Sequence, residues 1–219
     1  MPGGLQLPMF PLSSVVFPHQ RIPLHVFEPR YVQLLHDVGE GEGRFGICLI
    51  ARGSEVGGGD ERHHVGTLVV LDSVTPLADG TFIVVATGVE RIVIDEWLDD
   101  NPYPRARVHL HPGRDVPTDT QLLSSAEQAV RSLRVLHSEM DPDYSVAMDS
   151  EMSEAMCVRS WQLCSMTPMA TLDQLKLLRE DECDERLRQL AEICCERYGD
   201  LQRLLSQAPM SWGDLGEAE

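Results

Sequence analysis

The chain has 219 residues, and 42% of them are hydrophobic, which is enough to form a substantial core. Its 35 acidic residues outnumber its 18 basic residues and give a net charge of −17, which opposes contact with phosphate backbones and anionic lipids. Composition therefore argues against nucleic acid and membranes as partners.

The start of the chain shows no signal sequence, because its first cation is Arg21 and prolines interrupt the early apolar residues. No apolar run has the length of a membrane span. Six cysteines without a CxxC pair are typical of reduced thiols in a cytoplasmic protein. We therefore expect a cytoplasmic location.

Residues 8–31 read PMFPLSSVVFPHQRIPLHVFEPRY and predict a strand, a turn, a second strand and a helix. Pro11 and Pro18 confine the first strand to an edge or a turn boundary, since proline cannot donate a ladder hydrogen bond. Pro29 suits the first turn of a helix, so this helix should start at about Glu28. Glu28 and Arg30 flank that proline and are expected to pair locally or to cap the helix.

Further strands are predicted downstream, at 45–51, 65–74, 81–87, 89–96 and 103–110. Asp79-Gly80 predicts a hairpin turn, and Gly88 indicates a bulge or a barrel corner. Short strands around one embedded helix favour a small, partly closed β structure over a parallel α/β sheet.

The hydrophobic period changes after residues 112–117, and four helices are predicted in the remainder. Capping boxes at Thr118 and Thr171 open the first and third of them, with Leu172 expected to face inward. The second should cover about 147–165, and the acidic run at 180–185 should start the fourth. We therefore predict a β domain at 1–116 and a helical bundle at 117–219 with a short acidic tail.

Several unusual motifs occur together in the first half: LPMFPL at 7–12, HVFEPRY at 25–31, FGICLIARGSEVGGG at 45–59, VGTLVVL at 65–71 and DGTFIVVATGVERIVI at 79–94. In this order they resemble the N-terminal substrate-binding domain of Lon proteases. The resemblance implies an α+β fold, in which a PUA-like small β-barrel with one embedded helix precedes a C-terminal helical bundle. One departure is His19, where the family usually has glycine, and it suggests a turn without positive φ.

Lon proteases join this domain to an ATPase domain and a Ser-Lys peptidase domain, and neither domain is expected here. A phosphate-binding P-loop needs a lysine after its glycines, and the chain's only lysine, Lys176, lies in a leucine-rich segment. We therefore predict a non-enzymatic, stand-alone protein without cofactors. The glycine-rich segment 53–60 should link two strands, and its glycines make it a candidate mobile element that closes over a bound neighbour.

No metal site is expected. His109 and His111 point to the same face of a strand, but no third ligand stands at a recognisable spacing.

The remaining candidates for function are apolar side chains that could contact polypeptide. They are Phe17, Pro18, Phe27, Tyr31 and Trp97. Phe17 and Pro18 lie at a turn, where residues are commonly exposed. The leading hypothesis is non-catalytic binding of unfolded or exposed polypeptide segments. The alternative is a regulatory or assembly subunit that binds one folded partner, such as a protease or an ATPase.

Overall fold

The fold is that of a computed structural model, which describes residues 4–114, 119–140 and 152–207. Within these residues, the strands are β1 (Leu5–Leu12), β2 (Arg21–Val26), β3 (Arg44–Arg52), β4 (Glu61–Pro76), β5 (Phe82–Leu98) and β6 (Arg105–Leu110). The helices are α1 (Pro29–Gly39), α2 (Thr120–Met140), α3 (Met156–Met166), α4 (Thr171–Arg179) and α5 (Cys183–Gln207). Among the described residues, no helix is both long enough and apolar enough to cross a membrane.

Five of the strands pair in a closed ring. β1 runs parallel to β3, the pairs β3–β4, β4–β5 and β5–β6 are antiparallel, and β6 returns to β1. β2 pairs with the first part of β5 and lies at the edge of the sheet order. The predicted α+β class, with a β-rich half and a helical half, is confirmed.

The prolines and glycines of the opening half act as the sequence predicted. Pro29 occupies the first turn of α1, and Glu28 is the residue before it. Gly80 has a positive φ of 84° in the hairpin between β4 and β5. Gly88 lies at a bulge, because Leu68 pairs with Glu90 while Val69 pairs with Gly88. The two strands predicted around Gly88 are therefore one long, bent strand.

The turn between β1 and β2 corrects one expectation. His19 has a φ of 62°, so the turn does need the left-handed conformation that we expected it to avoid. Two backbone hydrogen bonds to β5 hold it there: His19 N donates to Gly88 O at 2.9 Å, and Gly88 N donates to Gln20 O at 2.8 Å. A Cβ on Gly88 would lie 2.3 Å from Phe17 O, so only glycine permits this approach.

The structure tests the predicted helix starts in part. Thr118, the predicted cap of α2, lies outside the described residues; Asp119 accepts a hydrogen bond from Gln121 N at 2.8 Å, and α2 begins at Thr120. The helix predicted at 147–165 begins only at Met156; residues 152–155 are not helical, and 147–151 lie outside the described residues.

The capping box predicted at Thr171 is wrong. Helix α4 has Ala170 at its N-cap without a side-chain hydrogen bond. Leu172, in the first turn of α4, was expected to face inward but is 72% exposed, whereas Leu175 and Leu178 are buried. The acidic run is confirmed as a helix start, since Asp184 and Glu185 lie in the first turn of α5.

The helical half packs on the β half through a shared core. Val15, Phe17 and Leu49 belong to one buried cluster with residues of α2, α3, α4 and α5. A second cluster packs α1 against residues of β1 to β5, and a third contains residues of β1, β3, β4, β5 and β6, the five strands of the closed ring. The division at residue 116 stays a prediction, and residues 115–118 lie outside the described part of the chain.

Candidate polypeptide-binding surface

Three of the five candidate contact residues are buried. Phe17 is 1% exposed, and its ring centroid lies 5.9 Å from that of Trp161 on α3. Pro18 beside it is also buried. The expectation that this turn is exposed is wrong, because α3 covers it. A local motif could not predict this burial, since α3 follows about 140 residues later in the chain.

Tyr31 is buried as well and belongs to the cluster that packs α1 against the strands. Its ring stacks on Phe10 at 4.1 Å, and the Arg30 guanidinium lies 4.4 Å from the ring centroid. Burial raises the pKa of Tyr31 to about 12, so the hydroxyl stays neutral at physiological pH. Its location indicates a structural role.

Trp97 is half-buried, and one face of its ring is covered. The Arg62 guanidinium lies 4.8 Å from the ring centroid. Two carboxylates hold that guanidinium, Asp60 at 2.6 Å and Asp100 at 2.5 Å. Burial raises the pKa of Asp60, but the hydrogen bonds and charge of Arg62 outweigh it and keep that pKa below its ordinary value. Trp97 therefore offers only a partial surface to a ligand.

Phe27 is the candidate that the fold exposes. It directly follows β2 and is 51% exposed. A groove of about 300 Å³ lies beside it, and residues 23–28 form one wall. Val56 lines the groove as well, and together with Leu24 it makes the surface largely apolar.

A second groove of about 580 Å³ lies between the glycine-rich segment and the start of α4. Leu49 and His63 come from the strands on one side, and Leu172 comes from α4 on the other. Val56, which is 55% exposed, lines this groove too. The two grooves thus share the glycine-rich segment as a common wall.

We name the combined area the apolar surface and define it by Phe27, Val56 and Leu172. Val56 and Leu172 were not among the candidates predicted from sequence. A branched apolar residue within an otherwise polar glycine loop was the available signal for Val56. Leu172 left no such signal, because its helical spacing to Leu175 and Leu178 predicted that it would be buried with them.

The glycine-rich segment 53–60 links β3 to β4, as predicted, and is fastened to α1. Arg30 Nη2 donates to Glu55 O at 3.0 Å, and Gly57 N donates to the Glu28 carboxylate at 3.4 Å. Ser13 donates to the Glu55 carboxylate from its amide and its hydroxyl. Arg30 and Glu28 also pair with each other at 3.2 Å, so this local pair positions the wall between the grooves.

The histidines of β6 pair with acids. His109 lies 2.9 Å from Asp95, and His111 lies 2.8 Å from Asp181. In the described part of the chain, no group of three potential metal ligands comes together.

Comparison with known proteins assigns the family. The profile described as "ATP-dependent protease La (LON) substrate-binding domain" matches residues 6–196. The chain belongs to this family. The match includes both the barrel and most of the helical half, so Lon-type substrate-binding domains combine the two parts described above.

Solved structures agree with this assignment. A Lon N-terminal domain protein from Xanthomonas campestris is 27% identical, with a TM-score of 0.65 over 86% of this chain and 98% of that one. The N-terminal domain of Lon protease from the Mycobacterium avium complex, at 13% identity, shares the fold with a TM-score of 0.61 over 88% of this chain and 99% of that one.

Curated relatives are longer proteins. Lon protease 2 of Herpetosiphon aurantiacus is 26% identical over 207 residues, which are 90% of this chain and 24% of that protease. A LON peptidase N-terminal domain and RING finger protein of Schizosaccharomyces pombe is 24% identical over 210 residues, 83% of this chain and 43% of that protein. The match spans 24% of Lon protease 2 of Herpetosiphon aurantiacus, 23% of Lon protease of Koribacter versatilis and 13% of Lon protease of Dictyoglomus thermophilum.

Proposed function

We propose that the protein binds unfolded or extended polypeptide segments, without catalysis, at the apolar surface. The observation that carries this proposal is the exposure of three large apolar side chains along two adjoining grooves. Phe27, Val56 and Leu172 are each more than half exposed. Exposed apolar side chains that line a continuous concave surface are typical of binding sites rather than of ordinary surface.

Hydrophobic contact would supply most of the affinity. Burying one large apolar side chain contributes about 1.5–3 kcal/mol, and ordering a flexible polypeptide opposes much of that gain. Three such side chains therefore support binding that is micromolar or weaker. This range suits reversible recognition of many segments better than one permanent complex.

The description of the family supports the same role, since the matched unit is named for substrate binding. The net charge of −17 further favours apolar segments flanked by basic residues, because opposite charges speed encounter. All six cysteines are free thiols, which agrees with the proposed cytoplasmic location.

Fluorescence anisotropy with a labelled, permanently unfolded polypeptide tests the proposal. The Phe27→Ser variant should weaken binding about tenfold, since it removes most of one exposed aromatic contact. Leu110→Ser is the matched control, because Leu110 is equally exposed on a strand end and lines neither groove. Equal affinity of both variants and the unsubstituted protein would contradict the assigned surface.

Affinity purification separates this proposal from the alternative of a regulatory or assembly subunit. A binder of exposed segments should recover many denatured proteins and lose them after the Phe27→Ser substitution. Recovery of one stoichiometric protease or ATPase, unchanged by that substitution, would favour the alternative.

A further inference from the structure

Two arginines are buried side by side where the barrel meets the helices. Arg91 on β5 is 1% exposed and Arg186 on α5 is 2% exposed. Both guanidinium groups lie against the ring of Trp161, with centroid distances of 5.5 Å for Arg91 and 3.5 Å for Arg186. Two cations at one buried position are costly unless negative charge accompanies them.

The described residues supply one carboxylate to this pair of cations. Asp181 lies 3.0 Å from Arg91 Nη1. Arg186 instead donates to neutral groups, the Ser160 hydroxyl at 2.9 Å and the Glu180 carbonyl at 3.0 Å. Burial lowers the pKa of Arg186, and the nearby charge of Arg91 acts in the same direction. Because a guanidinium remains protonated in proteins, the cluster keeps one positive charge in excess of its carboxylate partners.

Part of the Arg91 guanidinium is also left without hydrogen bonds. Arg91 Nη1 donates to the carbonyls of Leu178 and Glu180, at 3.1 and 3.0 Å. Its Nε and Nη2 are buried and have no acceptor among the described residues. Gly113 lies beside Nη2, since a Cβ built on that glycine would be 3.6 Å from it. Such donors are costly to leave unpaired, and they indicate an acceptor that the described residues do not provide.

A pocket of about 220 Å³ reaches this cluster from the surface. Arg186, Trp161, Gly113 and Asp181 line it, and the exposed Val89 lies at its rim. Arg91 is not a lining residue, and its Nη2 lies next to Gly113. This volume accommodates one carboxylate or phosphate group with a short attached chain.

The charges on the pocket wall are mixed. Arg114 is paired with Glu182 at 2.9 Å, and Glu90 accepts a hydrogen bond from the Arg91 amide at 3.0 Å. The carboxylates of Glu90 and Asp181 both line the pocket and limit the total negative charge that it tolerates, so a ligand with a single small anionic group fits it best.

We propose that this pocket, the Arg186 pocket, binds a small oxyanion, either a carboxylate or a phosphate group, which accepts hydrogen bonds from the guanidinium group of Arg186 and lies beside the unpartnered Nη2 of Arg91 behind Gly113. The ligand adds negative charge next to two buried arginines, whose one ion-pair partner among the described residues is Asp181. Guanidinium groups recognise both anions well, since their planar donors match two oxygens of either group.

Binding there would tie the two halves of the molecule together, because Arg91 belongs to the barrel and Arg186 to the helices. A ligand that binds only the folded state raises the melting temperature. None of the residues that line the Arg186 pocket lines the two grooves of the apolar surface. The two sites can therefore succeed or fail independently in experiments.

The test uses the full chain with three probes: inorganic phosphate, N-acetylglycine and the uncharged N-acetylglycinamide. In nitrogen-15 spectra of the arginine side chains, millimolar phosphate or N-acetylglycine should shift the Nε–H signal of Arg91 saturably at constant ionic strength. The same probes should raise the melting temperature, and the amide should do neither. A response to phosphate alone or to the acid alone identifies the source of the oxyanion.

Substitutions at the rim localise the effect without disturbing the buried arginines. Val89→Glu should weaken binding at least about threefold, because its carboxylate repels the probe at close range, whereas Val89→Lys should retain or tighten binding. Val74→Glu is the matched control, an equally exposed strand valine outside the pocket. No saturable shift with either anion, or equal affinities of Val89→Glu and Val74→Glu, would overturn the proposal.

Discussion

Phe17 and Phe27 lie ten residues apart in the same proline-rich stretch but differ in exposure. Phe17 is packed against Trp161 under α3, whereas Phe27 projects beside an open groove. Both lie in connections outside the strands, so the difference comes from the distant helices that cover one connection and leave the other open. A motif can thus place a backbone without deciding which of its side chains remain available to a partner.

The largest difference between Phe17 and Phe27 should appear in the free energy of unfolding of their alanine variants. Phe17→Ala should lower the free energy of unfolding by about 3–5 kcal/mol, because it opens a cavity in the shared core. Phe27→Ala should change it by less than about 0.5 kcal/mol, as surface substitutions usually do. Urea unfolding followed by circular dichroism measures both, and similar losses for the two variants would break the comparison.

Gly88, whose backbone packs against that of Phe17, provides a second test of the close packing around Phe17. Gly88→Ala should destabilise the protein by about 1–3 kcal/mol, because the added Cβ would overlap with the carbonyl of Phe17. Gly39→Ala is the control, since nothing lies within 4 Å of a Cβ there. We expect it to be neutral or slightly stabilising, and a loss at Gly39 as large as at Gly88 would contradict the close approach.

Substitution of His19 should increase the stability of the protein, unlike the substitutions above. Replacing it with glycine should stabilise the protein by up to about 1 kcal/mol, because glycine adopts positive φ without a steric cost. The greater flexibility of glycine in the unfolded chain offsets part of that gain. Thermal unfolding should show a small rise in melting temperature, and a marked fall would mean that the imidazole itself stabilises the turn.

The smallest effect concerns a hydrogen bond at the surface of α1. Tyr103 donates to Asp37 at 2.5 Å, and this bond, with a second from Gln33, holds the pKa of Asp37 below its ordinary value. A lowered carboxyl pKa stabilises the folded state above the unfolded pKa of about 3.9, and that stability is lost as the pH falls through the folded pKa. The unsubstituted protein should therefore lose more stability on acidification than Tyr103→Phe; identical acid profiles would exclude this contribution.

Local chemistry made much of the barrel predictable. Proline at the start of α1, the glycine in the β4–β5 hairpin and the glycine at the bulge of β5 each act through their own backbone, so their positions were readable. The helical half was less predictable from the sequence. The predicted start of α3 was too early, because an apolar pattern shows which residues are buried but not where a helix ends.

The candidate surface was predicted only in part, since exposure depends on packing between distant segments. Phe17 and Pro18 were expected at the surface and lie beneath α3. Leu172 was expected inside and lies outside, although it has helical spacing to the buried Leu175 and Leu178. Arg91 and Arg186 gave no signal in sequence, since their meeting depends on how α5 docks on β5.

Photo-crosslinking tests the central claim most directly. An extended apolar peptide carrying a photoreactive residue at its centre would be bound to the full chain, irradiated, and its attachment sites mapped by mass spectrometry. Attachment should concentrate at Phe27, Val56 and Leu172, and an excess of unlabelled unfolded polypeptide should abolish it. Attachment instead at exposed apolar residues outside the grooves, such as Val74 or Leu204, would contradict polypeptide binding at the apolar surface.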